Sequence, residues 1–507
     1  MLTFCDPLLH AQRCFPDRPA VVDGSVRLDF GAFMARVERV AGAVLAETSP
    51  GDRVAVLAAN AHETLELHLG IPAAGRAVVP INTRLAHAEV EYILADAAPR
   101  LLITDRSEEA VAPLAHHVGR VLSYGEGYEA WLADATPMPF DASPAEPESL
   151  AGLFYTGGTT GRSKGVMLSH ANRIADTQHL GLALGISGDD AWIVLGPMYH
   201  ASGIFQSLLC VWQGACQILL PAFDPAEVLD LVEQERASVA FGVPLMLREL
   251  AEEQAVRPRS VSSLRFMGYG AAPASSGLLS RFRQVLPEAE LVSMYGATEL
   301  APMGTCLRHM ERWIGSPRVR SAGRAVPGVR VWVELSPGEV APSGVVGEVV
   351  VRGPNVMQGY WNKPEATAEV LRDGAYRTGD LGYFDDAGCL FLVDRKKDMI
   401  ISGGENVYST EVEEVLSGHP DVLECSVFGV PDPKWGETVH AVVVPRAGAA
   451  LDVDALISLC REELAGYKLP KRVDVRDEPL PRTAAGKIRK RDLREPFWGE
   501  ETRRIHG

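Results

Sequence analysis

The 507-residue chain has no closely spaced cysteine pair. Its eight cysteines (Cys5, Cys14, Cys210, Cys216, Cys306, Cys389, Cys425, Cys460) are scattered, with no CxxC spacing. That fits neither a thiolate zinc site nor a disulfide framework, and it points to a reducing, cytoplasmic setting. Positive charge is also scarce: 49 Lys and Arg against 66 Asp and Glu leave a net charge of −17. Nucleic acid and anionic membranes are therefore poor bulk partners, and any polyanionic ligand needs a local site. Membrane-length apolar runs are missing. The stretch 191–223 carries no Asp, Glu, Lys or Arg, but Pro197, His200, Gln206, Gln213 and Gln217 interrupt it. It reads as core beside a ligand pocket, not as an integral membrane segment. The first residues are charged too early for a secretory signal, and TRRIHG at the end carries no lipidation or peroxisomal signal. There is no repeat and no low-complexity tract. At this length, two or more domains are expected.

What the chain does have is the stretch YTGGTTGRSKGVMLSH, Tyr155 to His170. The apolar residues from Leu150 to Tyr155 read as a strand, and those after Gly165 can open a second element. Glycines let successive N–H groups converge, hydroxyls add donors, and Lys164 adds a compact cation. This is the composition of a polyphosphate nest. It is not a Walker A loop, because Arg162 and Ser163 separate Gly161 from Lys164. A Gly/Thr-rich stretch is by default only a flexible turn, and here phosphate binding is the favoured reading.

Residues 1 to about 150 alternate helical and strand patterns: Phe30–Leu45 helix, Arg53–Asn60 strand, His62–Leu69 helix, Ala77–Asn82 strand, Ala88–Ala95 helix, Arg100–Thr104 strand. Asp141–Glu148 reads as a linker. The same rhythm resumes through Ala191–Pro197, Cys216–Pro221, Pro225–Arg236, Ser238–Val243, Leu245–Glu253, Leu264–Tyr269, Ser276–Leu286 and Leu291–Tyr295. It implies α/β architecture with parallel sheet covered by helices. From about Gly315 short strands with Gly and Pro turns predict a small β-rich subdomain, and beyond Arg395 a compact α+β pattern follows.

Open α/β sheets bind ligands at strand ends, and there this chain places MYGATE, YRTGD and GYGAAP. Tyr295 offers a ring, Thr298 a hydroxyl, Glu299 a carboxylate suited to Mg²⁺, and Asp380 an acceptor for ribose hydroxyls. Each has a bland reading as a capped helix start or a turn. DRKKDMIISGGENVY (Asp394–Tyr408) is a charge cluster followed by two glycines, and TAAGKI (Thr483–Ile488) carries Lys487 on a loop. In this order, YTGGTTGRSKG, YGATE, YRTGD, DRKKDMIISGGENVY and TAAGKI resemble the adenylate-forming superfamily of acyl-CoA synthetases, adenylation domains and luciferases. PINTRL, GYWNKPEAT and PDPKWGE resemble its acyl-CoA ligase branch.

The resemblance implies two half-reactions: a carboxylate attacks the α-phosphorus of ATP, then coenzyme A displaces AMP. It implies that Thr156, Gly157, Gly158, Thr159, Thr160 and Lys164 hold the triphosphate, and that Thr298 and Glu299 hold phosphate and Mg²⁺. Tyr295 with Gly270, Ala271 and Ala272 would wall the adenine. Asp380 would bind ribose with Arg395 beside it. Lys487 would bridge carboxylate and α-phosphate as a mobile point charge. A domain 1–394 would bind ATP and acid, and a domain 395–507 would rotate about Lys397, exchanging the Lys487 loop for Ser402–Gly404 and opening a pantetheine tunnel at Gly404 and Trp435. Gly158 stands where many members carry Ser, and Lys397 where relatives often carry Asp.

The acid would sit among His200, Ile204, Tyr269, Met294, Gly296 and Met303. MYHASGIF (Met198–Phe205) lacks the Asp by which amino-acid-activating relatives hold an ammonium. The apolar lining suits a fatty or aromatic acid, with fatty the first expectation. His200 is equally a gate or a buried core residue. Rival readings are an enzyme loading a carrier protein, a luciferase-type monooxygenase and a non-catalytic nucleotide sensor. The intact Lys164, Glu299 and Lys487 argue against the last. Chain length of the acid and oligomeric state, homodimer included, stay open.

Overall fold

The computed structural model describes residues 2–156, 162–272, 274–308, 316–482 and 488–498. It divides into two compact units. The first comprises Met1–Ala272, Ser280–Val331 and Val351–Arg377, the second Pro273–Leu279, Trp332–Val350 and Thr378–Gly507.

Two sheets build the first unit. The seven-stranded sheet runs in the order Gly359–Tyr360, Lys164–Ser169, Leu150–Thr156, Ala77–Pro80, Arg53–Leu57, Leu101–Thr104, Arg120–Ser123. Its inner strands are parallel and buried on both faces, as their unbroken Val/Leu/Ile runs require. Leu57, Val79, Ile93, Leu94, Leu102 and Leu153 form their core, each contributing about 1.5–3 kcal/mol on burial. The nine-stranded sheet runs Arg324–Ala325, Met303–Arg308, Glu290–Gly296, Phe266–Gly270, Val239–Gly242, Ala191–Val194, Cys216–Leu219, Pro19–Asp23, Val26–Asp29. Helix starts are locally encoded. Asp29 accepts from Ala32 N to open Phe30–Glu47, and Ser169 with Asn172 forms a capping box on His170–Leu184.

Two features depart from the sequence reading. The sheets are mixed: Leu150–Thr156 pairs antiparallel with Lys164–Ser169, and Glu290–Gly296 antiparallel with Met303–Arg308. Both antiparallel partners follow a short loop, which permits a hairpin where a crossover needs a longer connection. Pro19–Asp23 and Val26–Asp29, not assigned from sequence, join the nine-stranded sheet by parallel pairing of Pro19–Asp23 with Cys216–Leu219, a contact far too distant in sequence for local periodicity to signal. The charge-free stretch contains the strand Ala191–Val194 and the helices Ala201–Ile204 and Gln206–Gln213. Among the described residues no helix is long and apolar enough to cross a membrane.

The second unit takes in Trp332–Val350 and Thr378–Arg395 from a six-stranded β sheet, as the Gly/Pro-punctuated texture predicts. Its other sheet contains Glu405–Val407, Ile400–Ser402, Gly436–Pro445, Val422–Asp432 and Arg472–Val475. The helices Ser409–Ser417 and Val453–Glu463 cover Val427, Val439, Ala441 and Val443.

Candidate active site

Three neighbouring strand ends of the first unit gather the residues expected at the adenine and acyl walls. Register places Tyr269 opposite Ser293 and Gly270 opposite Met294; Tyr295 faces Thr305, and Gly296 faces Met303. The glycines are steric necessities. A Cβ at Gly270 would lie 2.2 Å from Met294 O, and one at Gly296 1.8 Å from Pro302 O. Ala271 follows at φ +66° and turns the chain away. Tyr269, Ile204, Met294 and Met303 are buried, while Tyr295 is half-buried and Gly296 exposed. Burial pushes the Tyr269 phenol well above its ordinary pKa, so it stays protonated. His200 precedes the short helix Ala201–Ile204, its ring edge-on to Tyr199 at 4.7 Å. Asn60 holds this segment, accepting from Met198 N (2.7 Å) and donating to Gly196 O (3.0 Å).

The glycine loop springs from the hairpin in which Thr156 pairs with Lys164. Gly157, Gly158, Thr159 and Thr160 lie outside the described residues, as does Lys487. Around the loop, Tyr155 Oη donates to Asp96 (2.6 Å) and Tyr92 Oη to Ser163 O (3.1 Å). Lys164 Nζ stands 4.9 Å from the centre of the Tyr360 ring, and Tyr360 Oη donates to Glu299 Oε1 at 2.8 Å. One tyrosine thus bridges the loop's lysine and the acid of YGATE. The cation lies over the ring face, an attractive arrangement, and the hydroxyl orients the carboxylate. Among the described residues the second Glu299 carboxylate oxygen has no hydrogen-bond partner. A hard oxygen donor of this kind, beside the Thr298 hydroxyl, fits Mg²⁺.

Thr298–Leu300 is a single 3₁₀ turn, not the start of a longer helix. Its carbonyls and those just beyond are held from buried positions. Met357 N donates to Glu299 O (2.9 Å), and the fully buried Asn355 donates to Leu300 O (2.8 Å) and Met303 O (2.7 Å). Arg173, on the buried face of His170–Leu184, donates to Ala301 O (3.2 Å) and Ile204 O (3.5 Å). Asp176, one turn on, accepts from Met303 N (3.0 Å). Burial pushes Asp176 up to about 8 against the pull of Arg173, and burial lowers Arg173. One helix therefore fixes both the Glu299 turn and the His200–Ile204 segment. Sequence reasoning did not single out Tyr360, Asn355, Arg173 or Asp176. Two charges three residues apart within the apolar pattern of ANRIADTQHL were the available signal.

The other expected residues lie on the second unit. Asp380 and Arg395 are paired across adjacent strands, with Arg395 Nε 2.6 Å from Asp380 Oδ1. Lys397 is half-buried, and burial draws its ammonium down to about 8. Gly403 and Gly404 turn at φ +62° and +88°; Gly403 N donates to Trp435 O at 2.8 Å, and Trp435 is 43% exposed. The structure thus brings together the Tyr269–Met303 group and the Lys164–Glu299 group within the first unit, and within the second it pairs Asp380 with Arg395 and Gly403, the neighbour of Gly404, with Trp435.

Residues 8–361 match the family described as AMP-binding enzyme, and residues 411–487 its C-terminal domain. A feruloyl-CoA synthase of Amycolatopsis sp is 42% identical over 96% of this chain and 97% of its own length. A fatty acid–[acyl-carrier-protein] ligase, ScoC of Streptomyces coeruleorubidus, is 36% identical over 98% of this chain and 96% of its own. The solved o-succinylbenzoate CoA synthetase of Bacillus subtilis, in complex with its acyl-adenylate intermediate, superposes with a TM-score of 0.86 at 30% identity, covering 96% of this chain and 98% of its own.

Proposed function

The chain belongs to the AMP-binding enzyme family and is an ATP-dependent CoA ligase, and from that premise we propose that its acid is an aryl acid, activated as the acyl-adenylate at the Glu299 turn. The fatty acid expected from the apolar lining gives way to an aryl acid. The observation that carries this is the 42% identity with a feruloyl-CoA synthase along almost the whole chain. Tyr269, Met294 and Met303 are buried side chains of aromatic or thioether character, and side chains of these kinds pack well against a ring.

In the first half-reaction a carboxylate oxygen of the acid bonds to the α-phosphorus of ATP and pyrophosphate leaves. In the second the thiol sulfur of coenzyme A bonds to the acyl carbon, AMP leaves, and the thiol proton is lost to solvent. Lys164 and Thr156, with the glycine loop, hold the phosphates, and Tyr295 with Gly270–Ala272 flanks the adenine. Glu299 and Thr298 are the residues that would hold Mg²⁺, which supplies charge neutralisation on the phosphates when bound. Tyr360 orients Glu299 for that task. Asp380, aligned by Arg395, accepts from the ribose hydroxyls. Lys487 offsets repulsion between the carboxylate and the α-phosphate. Residues 395–507 turn about Lys397 between half-reactions, and Gly404 with Trp435 then lines the path of the pantetheine arm. A cytoplasmic location suits the supply of ATP and coenzyme A.

The test is thioester formation with ferulate, 2-succinylbenzoate, octanoate and palmitate, with coenzyme A and with acyl carrier protein as thiols. An aryl acid with coenzyme A is expected to give the highest kcat/KM. A tenfold or greater preference for either fatty acid overturns the aryl assignment, and turnover with the carrier protein alone overturns the thiol.

A further inference from the structure

The helix Lys490–Trp498 begins two residues after Ile488 and three after Lys487 in the sequence. Lys490 is the residue held. Only 16% of its side chain is exposed; its Nζ lies 2.8 Å from Glu413 Oε1 and 2.5 Å from Ser409 Oγ, both on the helix Ser409–Ser417. Glu413 Oε1 also accepts from Val427 N at 2.8 Å, which fixes the carboxylate to the central sheet of the second unit. Ser409 N in turn donates to Asp394 Oδ2 (2.6 Å), and Asp394 Oδ1 accepts from Arg395 N (2.7 Å). One turn along the same helix face, Arg494 Nη1 stands 3.7 Å from Asp398 Oδ1, while Asp398 N donates to Arg395 O at 2.8 Å. Both cations of the helix thus reach the turn Asp394–Asp398, Lys490 through Ser409 and Arg494 directly.

The entry side of the loop is held as well. Arg482 forms an ion pair with Glu424 (2.6 Å), Leu480 N donates to the same carboxylate (3.2 Å), and Arg482 pairs with Ile488 as an isolated antiparallel bridge. A mostly buried lysine with two carboxylates around it is costly to assemble for stability alone, since a well-packed apolar cluster would serve as well. Burial lowers the affinity of Lys490 for its proton, but Glu413 and Asp394 more than restore it, so the group stays charged.

We propose that Lys490 and Arg494 are positioning residues for adenylation, fastening the helix that follows Lys487 to the turn that carries Arg395 and Lys397. This rests on the roles assigned above to Lys487 and Lys397. Fastened in this way, the helix that follows Lys487 in the sequence keeps one placement on the Asp394–Asp398 turn. Adenylation needs that placement. Transfer from a preformed adenylate does not use Lys487 and is indifferent to it.

The experiment compares Lys490→Met/Glu413→Gln, Lys490→Arg, Arg494→Gln and Lys487→Ala in the full chain. The double variant removes the Lys490–Glu413 pair together, and Asp394 keeps its bonds from Ser409 N and Arg395 N. Pyrophosphate release is measured with ATP and the best acid of the panel, and thioester formation with the corresponding synthetic acyl-adenylate and coenzyme A. Displacement of a catalytic group by about 1 Å costs on the order of 10²-fold. Adenylation by Lys490→Met/Glu413→Gln is expected to fall between about 10-fold and 100-fold, and thioester formation to stay within about threefold of wild type. Lys490→Arg should recover most of the loss, and Arg494→Gln should give a smaller loss of the same kind. Unchanged adenylation in the folded double variant overturns the inference, and so does an equal fall in both half-reactions, the mark of a merely structural role. If Lys487→Ala abolishes adenylation while the Lys490 variants do not, only the fastening is wrong. If Lys487→Ala leaves adenylation intact, the assignment of Lys487 falls and the inference with it.

Discussion

Around Thr298–Leu300 in the first unit, backbone carbonyls are met from several sides: Glu299 O by Met357 N, Leu300 O and Met303 O by Asn355, Ala301 O by Arg173. At Ser402–Gly404 in the second unit, one backbone bond joins Gly403 to Trp435, two glycines sit at positive φ, and no atom lies within 4 Å of a Cβ built at Gly404. The first arrangement suits a site whose charges must already be in place when charge develops on phosphorus, because preorganised groups need no reorganisation at that moment. The second suits the proposed role of a surface that serves one half-reaction and withdraws for the other.

The sharpest way to break this comparison is Lys487→Ala. If the second unit contributes by exchange, adenylation should fall about 10²–10³-fold while a supplied acyl-adenylate still passes to coenzyme A near the wild-type rate. Single-turnover assays of each step decide it, and a matching loss in both steps removes the exchange. Next in size is Glu299→Gln, which keeps the turn and its backbone bonds but removes the charge; adenylation should drop by about 10², with a raised Mg²⁺ requirement read from titrations of the initial rate. Unaltered Mg²⁺ dependence would take Glu299 out of the metal site.

A smaller effect is expected from Tyr360→Phe. Loss of one hydrogen bond to a charged group is worth about 1.5–3 kcal/mol, so kcat should fall by about tenfold to a hundredfold, with the larger share in the Mg²⁺-dependent step and no change in the melting temperature beyond about 2 °C. Smallest is a pH effect on stability. Asp176 has its folded pKa raised to about 8 by burial, above the ordinary value of the unfolded chain. The folded state therefore holds a proton that the unfolded state has released, and this contribution is lost as pH rises from about 4 through about 8. Asp176→Asn should flatten that part of the melting-temperature profile by a few degrees while still accepting from Met303 N. A profile as steep as wild type would remove Asp176 as its source.

The motifs of the candidate site are legible because they reside in short, contiguous runs. The Thr298–Glu299 pair after a strand and the Gly403–Gly404 turn each carry their backbone conformation and their polar or glycine residues within a few positions. The helices and most strands were equally legible, since burial on one or both faces imposes a period that the sequence must obey. Tyr360 stands 61 residues from Glu299, and its role depends on a two-residue edge strand pairing with Met167 and Val166. Arg173 and Asp176 read as an ordinary polar pair on an amphipathic helix until the packing shows that face turned inward.

By itself the sequence determined most of the local elements, the α/β class, the order of the two domains and the family's motifs, because each is written in neighbouring residues or in periodicity. Tertiary structure alone decided which acid meets which cation and which carbonyls are held. It also decided that the sheets are mixed and that Lys490 fastens to Glu413, 77 positions away in the chain. Such pairings exist only when distant segments exclude water together, and the energy of a buried ion pair or an oriented carboxylate depends on that exclusion.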